Sequence, residues 1–187
     1  MLKSRRNWFI AIATFASLAA GNVARTNSMP QAVPQAAPQA APPADTAATL
    51  VVKGAVKQEL QLTLADLKSM PRTKVTAKGH DGATHEYEGV ALSAILAKAG
   101  APQSGDLRGK SMSLSVVAEA GDGYRAVFSL AELDADFAAE MVLVADTADG
   151  KGIGADQGPL RLVVPGDKRQ GRWVRMLKAL SIVNTVQ

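Results

Sequence analysis

The chain has 187 residues, of which 47% are apolar and 20% are charged. This length and composition indicate one domain with a buried core plus some accessory sequence, rather than a two-domain enzyme. The sequence contains no cysteine, which excludes disulfides, thiolate metal ligands and a cysteine nucleophile from these residues.

The formal charge is +4, but the excess of positive charge lies before the domain. Four of the 21 basic side chains precede residue 49, and only one of the 17 acidic ones does, which leaves 17 basic and 16 acidic side chains from there onward. A nucleic-acid-binding domain is typically basic as a whole, with its charge in a patch or stripe. The sequence therefore predicts no nucleic-acid partner.

Residues 1–24 have the pattern of an export signal. Basic side chains at positions 3, 5 and 6 precede the apolar run 8–20, whose 13 residues are fewer than the about 20 that a membrane span needs. Ser17 and Ala19 supply the small side chains of a cleavage site, and Ser4-Arg5-Arg6 is loosely twin-arginine in form. We expect an exported protein, periplasmic or secreted, that contacts a membrane only through this segment if it stays uncleaved.

Residues 25–48 repeat a Pro-Gln-Ala unit with further small residues. Proline removes hydrogen-bond donors and alanine buries little surface, so this segment cannot form a core. We expect a disordered, semi-extended linker, and we expect the domain to span residues 49–187.

Short strand-like and helix-like segments alternate through this domain. Strands are predicted at 50–53, 59–62, 74–78, 84–87, 112–118, 124–128, 141–145, 160–164 and 179–186. Short helices are predicted after the capping-box residues Thr63 and Ser129, and over 91–99 with Gly100 as its stop. These elements predict an α+β domain with mixed β-sheets and two or three short helices.

Four segments of the domain carry a specific pattern. They are LTLADLKSMP (62–71), YEGVALSAILAKAG (87–100), DGYRAVFSLAEL (122–133) and GPLRLVVPGDKRQGRWVRML (158–177). Their order and spacing resemble the molybdopterin-binding domain of the sulfite oxidase family, and the last segment is the most specific of the four. The resemblance implies the sulfite-oxidase-like molybdopterin-binding fold, with molybdenum on a pyranopterin dithiolene as the cofactor.

One ligand of that family has no counterpart in this chain. The family enzymes hold molybdenum through a cysteine just after the strand that corresponds to 75–78, where this sequence reads Lys78-Gly79-His80-Asp81. A thiolate is a soft, charged ligand that helps to set the redox behaviour of the metal, and a histidine does not simply replace it. The sequence thus leaves catalysis open, with His80 at the approximate position of the cysteine.

The main candidate for ligand binding is the basic segment 161–178. It holds six cations and one acid, whereas 119–156 holds nine acids and two cations. Arginine forks and the exposed N–H groups of a glycine-bounded loop suit a phosphate or carboxylate, and an aromatic ring can stack on a flat heterocycle. The alternative is a solvated hairpin with Trp173 in the core and Arg161 paired to an acid of 119–156. The predicted cofactor-binding residues are His80, Arg161, Lys168, Arg169, Arg172, Trp173 and Arg175.

The sequence also holds one metal-like cluster, formed by His80, Asp81, His85, Glu86 and Glu88. His85 and Glu86 are neighbours on a predicted strand and point to opposite faces, so the whole set does not converge. A pair of His80 and His85 across the hairpin is the alternative. No ligand-spacing motif supports a metal site, so we predict polar residues at an exposed turn and no metal ligands.

Three hypotheses for the function follow. The first is an exported domain that binds a pterin cofactor or a similar anionic small molecule without cysteine ligation. The second is a degenerate, non-catalytic module outside the cytoplasm that binds a protein partner or a small anion. The third is an oxidoreductase with an atypical metal ligand. The missing cysteine favours the first two, and the arginine-rich segment favours the first.

Overall fold

The computed structural model describes residues 50–139 and 141–186. The predicted export signal (1–24) and linker (25–48) lie outside the described residues and stay predictions. The described strands are β1 (Leu50–Gly54), β2 (Leu60–Leu62), β3 (Thr73–Lys78), β4 (Thr84–Ala91), β5 (Leu114–Ala120), β6 (Arg125–Ser129), β7 (Leu143–Ala148), β8 (Lys151–Gly152), β9 (Arg161–Val163) and β10 (Leu177–Asn184). The α-helices are α1 (Leu64–Ser69) and α2 (Leu92–Ala99), and 3-10 turns occupy Ser104–Asp106, Gly109–Ser113, Ala131–Leu133 and Gln170–Arg172.

The strands form two sheets. Sheet A has the order β2-β1-β10-β5-β6, and sheet B has the order β3-β4-β7-β8 with β9 also beside β7. In sheet A, β1 runs parallel to β10 while the other neighbours are antiparallel. In sheet B, β7 pairs with β9 through its first residues and with β8 through its last. The predicted α+β class with mixed sheets is confirmed.

Helix α1 begins and helix α2 ends through local interactions that the sequence predicts. The Thr63 N–H donates to Asp66 Oδ2 at 2.8 Å, and the Asp66 N–H donates to Thr63 Oγ1 at 3.1 Å, which completes a capping box for α1. Helix α2 ends at Gly100, whose φ of 73° is left-handed. A Cβ there would also meet the Lys57 side chain at 2.7 Å, so glycine fits the position on both counts.

Two predicted elements differ from the structure for local reasons. The strand predicted at 141–145 begins at Leu143, because the carbonyl of Val142 accepts from the Leu92 N–H and thereby caps α2. The second capping box forms only in part. Glu132 accepts from the Ser129 N–H at 2.7 Å, but Ser129 Oγ accepts from Ala131, and a 3-10 turn forms in place of an α-helix.

One apolar core lies between the sheets and α2. Its largest fully buried side chains include Phe128 of β6, Ile95 of α2 and Leu162 of β9. Each such side chain contributes about 1.5–3 kcal/mol to folding. Neither α-helix in the described part of the chain is long and apolar enough to cross a membrane.

The register of sheet B places several chain turns at one edge. Thr84, at the start of β4, pairs with Lys78 at the end of β3. Tyr87 in β4 pairs with Ala148, the last residue of β7. Arg161, which opens β9, pairs with Ala145 of β7. The β3–β4 turn, the β7–β8 turn and the entry to β9 therefore meet at the same edge.

Candidate functional site

Two adjoining cavities of about 450 and 640 Å³ lie at this edge of sheet B and share Gly79, His80, Gln157 and Arg161 in their walls. Together they form what we call the cleft. The smaller cavity adds the β7–β8 turn, and the larger adds residues 167–175, which we call the basic loop. The combined size is that of a site for a cofactor-sized molecule. The cleft lies between the His80 turn and the basic segment, the position that the sequence indicates.

Arg161 lies at the junction of the two cavities and is 7% exposed. One terminal nitrogen donates to the side-chain oxygen of Gln157, and the guanidinium carbon lies 5.2 Å from the ring centre of Trp173. Its Nε is buried and has no hydrogen-bond partner among residues 50–139 and 141–186. Burial lowers the pKa of Arg161 from its ordinary value. Since buried donors are almost always satisfied, this N–H marks a place where a ligand oxygen fits.

The sequence left open a core position for Trp173 and an acidic partner for Arg161, and the structure supports only the first. Trp173 is a core residue, because it is 5% exposed and its Nε1–H donates to the Val164 carbonyl at 2.9 Å. Its ring meets Tyr87 edge-on, with the ring centres 5.7 Å apart, so only part of it borders the cleft. The alternative pairing of Arg161 with an acid of 119–156 is wrong for the described residues of that segment, 119–139 and 141–156, since its partner is the neutral amide of Gln157.

Arg172 does not line the cleft. Its guanidinium donates to Asp167 at 2.6 and 3.0 Å and to Glu132 at 2.9 Å. It also lies 4.8 Å from the ring centre of Phe128. The hydrogen bond to Asp167, followed by that to Glu132, raises the pKa of Arg172. The structure therefore places Arg172 as a support that neutralises Asp167 and holds the basic loop against β6, rather than in the cleft.

The other predicted cations do border the larger cavity. Lys168, Arg169 and Arg175 are exposed, and none of them pairs with a carboxylate within 50–139 and 141–186. Lys78, which the sequence analysis did not select, joins them from the end of β3. With Arg161 they give this part of the cleft five cations, and its one acid, Asp167, is neutralised by Arg172. The arrangement attracts an anion and supplies several donors to its oxygens.

His80 and His85 have different surroundings. His80 is exposed on the β3–β4 turn and borders both cavities. His85 is held between carboxylates, with Nδ1 2.6 Å from Asp149 Oδ2 and Nε2 3.1 Å from Asp81 Oδ2. Both of its ring nitrogens are therefore engaged. No group of three or more histidine, aspartate or glutamate side chains in the described part of the chain is arranged to hold a metal ion.

Three further residues that shape the cleft are not among those predicted from the sequence. Gln157 precedes the Gly-Pro-Leu-Arg segment and supplies the oxygen that orients Arg161. Gln170 donates from its side chain to the Lys78 carbonyl, and Asp149 fixes His85. The contacts of Gln170 and Asp149 have no local sequence signal, since each joins residues far apart in the chain. The four-residue spacing of Gln157 and Arg161 was the one available clue.

Mixed sheets with two short helices agree with the sulfite-oxidase-like molybdopterin-binding class, to which this domain belongs. The chain belongs to the family described as the oxidoreductase molybdopterin binding domain, whose model matches residues 37–187. A similar solved structure is the crystal structure of the sulfane dehydrogenase SoxCD from Paracoccus pantotrophus, with 27% sequence identity and a TM-score of 0.58. The match covers 73% of this chain and 38% of that one, so the chain spans well under half of the length of this relative. No curated protein matches the sequence significantly.

The donor set of the cleft fits one part of the family's cofactor and not another. The unpaired Nε of Arg161 and the exposed cations of the basic loop fit an anionic, phosphate-bearing molecule. The turn after β3 offers His80 and no thiolate, and the 187 residues contain no cysteine. The protein's own side chains therefore do not fit thiolate ligation of molybdenum.

Proposed function

We propose that the cleft binds the anionic, phosphate-bearing part of a pyranopterin cofactor, or a closely similar anionic ligand, without cysteine ligation. The observation that carries this proposal is the buried, unpartnered Nε of Arg161 in a cleft with four more cations. An unmet buried donor costs about 1–3 kcal/mol, and a bound oxyanion would remove that cost. The family membership supports the same class of ligand.

The residues of the cleft have separable roles in this proposal. Arg161 donates from within the wall, and Lys168, Arg169 and Arg175 neutralise the ligand's charge from the rim. The edge of Trp173 gives a flat ligand an apolar contact. His80 borders both cavities and lies at the approximate position that the resemblance assigns to the family's cysteine. When bound, molybdopterin supplies redox-active molybdenum, but the chain offers no thiolate for oxygen transfer of the sulfite oxidase type.

A second candidate follows from that mismatch. The domain acts as a non-catalytic binding module outside the cytoplasm, with the cleft for a small anion and another surface for a protein partner. The lack of cysteine favours this function, because the loss of a metal ligand removes catalysis while leaving the basic loop intact. Residues 1–24 support export for either candidate, and residues 25–48 are proposed to separate the domain from the site of export.

The deciding experiment measures cofactor content. The full chain is produced in a host that makes molybdenum cofactor and is purified without denaturation. Molybdenum is then measured by mass spectrometry, and pterin by fluorescence after oxidation. Near-stoichiometric pterin with molybdenum supports cofactor binding without cysteine. Pterin without molybdenum supports the anionic-ligand form of the proposal. A folded protein with neither overturns it and favours the binding module.

A pair of double variants links the result to the cleft. Lys168→Gln with Arg169→Gln removes two exposed cations of the basic loop without disturbing the core. Arg108→Gln with Lys110→Gln removes the same charge from exposed positions that do not line the cleft. We expect pterin content to fall about tenfold in the first double variant only. Equal content in both variants would show that the basic loop does not hold the ligand.

A further inference from the structure

His85 bridges two turns at the mouth of the cleft. Its Nδ1 lies 2.6 Å from Asp149 in the β7–β8 turn, and its Nε2 lies 3.1 Å from Asp81 in the β3–β4 turn. The Asp149 side chain is 54% exposed and is also held by the backbone of β4, because its second carboxylate oxygen accepts from the Glu86 N–H at 3.0 Å and the Asp149 N–H donates to the Glu86 carbonyl at 2.8 Å. Asp81 belongs to the short turn that carries His80, and its side chain is 60% exposed.

The β3–β4 turn is packed directly against this bridge. A Cβ at Gly79 would lie 2.6 Å from Asp81 Oδ1 and 2.6 Å from His85 Cδ2, so only glycine lets the backbone approach the pair. Asp81 Oδ1 also accepts from the Ala83 N–H at 3.0 Å. The turn has its own backbone hydrogen bonds, from the Gly79 N–H to the Ala83 carbonyl at 2.7 Å and from the Gly82 N–H to the Gly79 carbonyl at 3.0 Å. The contact between Asp81 and His85 adds a tie from this turn, which carries His80, to β4.

Which hydrogen bonds His85 can donate depends on how many protons its ring carries. An imidazolium donates from both ring nitrogens, whereas neutral imidazole donates from only one and presents a lone pair at the other. Asp149 is the fixed partner at the shorter distance, so a neutral His85 keeps that hydrogen bond and turns its lone pair toward Asp81. We propose that His85 is a proton-controlled latch that holds the β3–β4 turn, and hence the His80 wall of the cleft, closed in its protonated state.

The two carboxylates that face His85 favour its protonated state. The hydrogen bond to Asp149, and then that to Asp81, raises the pKa of His85 above its ordinary 6.5. Burial raises the pKa of Tyr87, whose ring centre is 6.1 Å away, so this phenol is neutral over the same range. The remaining titratable or charged neighbours on the packed elements are His80 of the turn, Lys151 of β8 and Arg161 of β9.

The direction of the His85 pKa shift determines the pH at which the latch is lost. A raised pKa in the folded state means that the latch is complete below pH 6.5 and is lost as the pH rises through the elevated pKa of His85. Loss of the proton also makes the cluster of Asp81, His85 and Asp149 more negative by one charge. Opening of the wall and added negative charge both weaken the binding of an anion, a consequence that rests on the proposed function.

The latch is tested by NMR on the full chain. The sequence has two histidines, so the His80→Gln variant leaves His85 as the only imidazole and its titration is followed directly. Amide protection is measured at Gly79 and Gly82, whose N–H groups close the turn, from about pH 5 to about pH 9. Protection factors correct for base-catalysed exchange. We expect them to fall roughly two- to fivefold with the His85 midpoint, the range that an exposed ion pair supports.

Two variants make the test specific. Asp149→Asn removes the charge that stabilises the imidazolium, so the His85 midpoint and the loss of protection should move together to lower pH. Glu86→Gln is the matched control, because Glu86 is adjacent to His85 but pairs with Lys74 at 2.7 Å, and both midpoints should stay in place. The latch is overturned if the protection factors do not follow the ionisation of His85, or if their pH dependence persists in His85→Gln.

A separate arm measures the affinity for sulfate, an anion that keeps its charge over this range. As the pH rises, the affinity for sulfate should fall with the same midpoint in the unmodified chain. In His85→Gln the affinity should not change with pH. If amide protection follows His85 but sulfate binds at no pH, the latch is supported and the proposed anion site is overturned. If sulfate binds with no dependence on His85 and protection is flat, the anion site stands and the latch is overturned.

Discussion

The side-chain amide of Gln170 donates to the backbone carbonyl of Lys78 and so ties the basic loop to the end of β3. On its other side, Tyr124 donates from its hydroxyl to the Gly171 carbonyl at 2.5 Å, which ties the same loop to the hairpin of β5 and β6. The basic loop is thus fastened to an element of each sheet. Its exposed cations gain a fixed spacing without the aid of a ligand, and preorganisation of this kind lowers the entropic cost of binding.

The first prediction concerns that fastening. In Gln170→Ala the loop loses its tie to β3, so we expect the affinity for sulfate to fall roughly three- to tenfold while the melting temperature changes little. Isothermal titration calorimetry measures the affinity. Gln58→Ala is a control at an exposed glutamine outside the cleft and should bind as the unmodified chain does. Unchanged affinity in Gln170→Ala would show that the loop holds its shape without this contact.

The second prediction separates binding from stability at Arg161. Arg161→Met removes a buried guanidinium whose Nε has no hydrogen-bond partner among the described residues, and it keeps a side chain of similar length against Tyr87. Burying an unsatisfied charged donor is costly, so the free energy of unfolding should stay within about 1 kcal/mol or rise. The purified variant should contain no bound pterin. Chemical denaturation and pterin fluorescence measure the two effects, and a large loss of stability would assign Arg161 to structure alone.

The third prediction concerns a partly buried ion pair of sheet B. Arg72 donates to both carboxylate oxygens of Asp146, at 2.6 and 2.7 Å, and Asp146 is 6% exposed. Asp146→Ala leaves Arg72 with Glu88 as a partner at 3.2 Å and a side chain that is 25% exposed, so we expect a loss of about 1–3 kcal/mol in the free energy of unfolding. The exposed pair of Lys74 and Glu86 is the comparison, and Lys74→Gln should leave the free energy of unfolding nearly unchanged.

The same ion pair predicts a dependence on pH. Burial alone raises the pKa of Asp146, but the hydrogen bonds from Arg72 and Thr147 outweigh it and hold the pKa below the ordinary 3.8. The stability from this group is therefore complete above pH 3.8 and is lost as the pH falls through the lowered value. Urea titrations from neutral to acid pH should show a steeper acid loss in the unmodified chain than in Asp146→Ala. Parallel curves would contradict the prediction.

The fifth prediction concerns close backbone packing in sheet B. A Cβ at Gly89 would lie 2.0 Å from the Val144 carbonyl oxygen, at the register shift between β4 and β7. Gly89→Ala must therefore displace a backbone hydrogen-bonded segment, and we expect a loss of about 3 kcal/mol. Gly152→Ala, where a Cβ meets no atom within 4 Å, should change stability by less than about 0.5 kcal/mol. Thermal melts of the two variants give the comparison.

The parts of the fold that could be predicted are those that local chemistry determines. The capping box of Thr63 and Asp66 and the glycine stop of α2 depend on residues a few positions apart, and both are confirmed. The partner of β10 could not be predicted, because the apolar pattern of a strand does not name the strand beside it. The parallel pairing of β10 with β1 is settled by packing across the whole domain.

The candidate site divides in the same way. The run of cations from Arg161 to Lys178 indicated the basic wall, but the pattern could not separate Arg161 from Arg172. One is buried with a neutral amide partner, and the other pairs with Asp167 nearby and Glu132 far away in the chain. Which arginine meets an acid depends on the tertiary fold. Export, the extracytoplasmic location and a protein partner stay predictions.

The place of β10 in sheet A has a consequence for how the protein is made. This strand lies between β1 and β5, yet it comes after every other strand in the sequence. A ribosome therefore produces β1 with β2, and β5 with β6, as separate hairpins long before the strand that joins them exists. Until residues 177–184 emerge, each hairpin exposes an edge that can pair with a foreign chain. The nascent protein is thus most vulnerable to aggregation just before its synthesis passes β10, when shielding by a chaperone has the greatest effect.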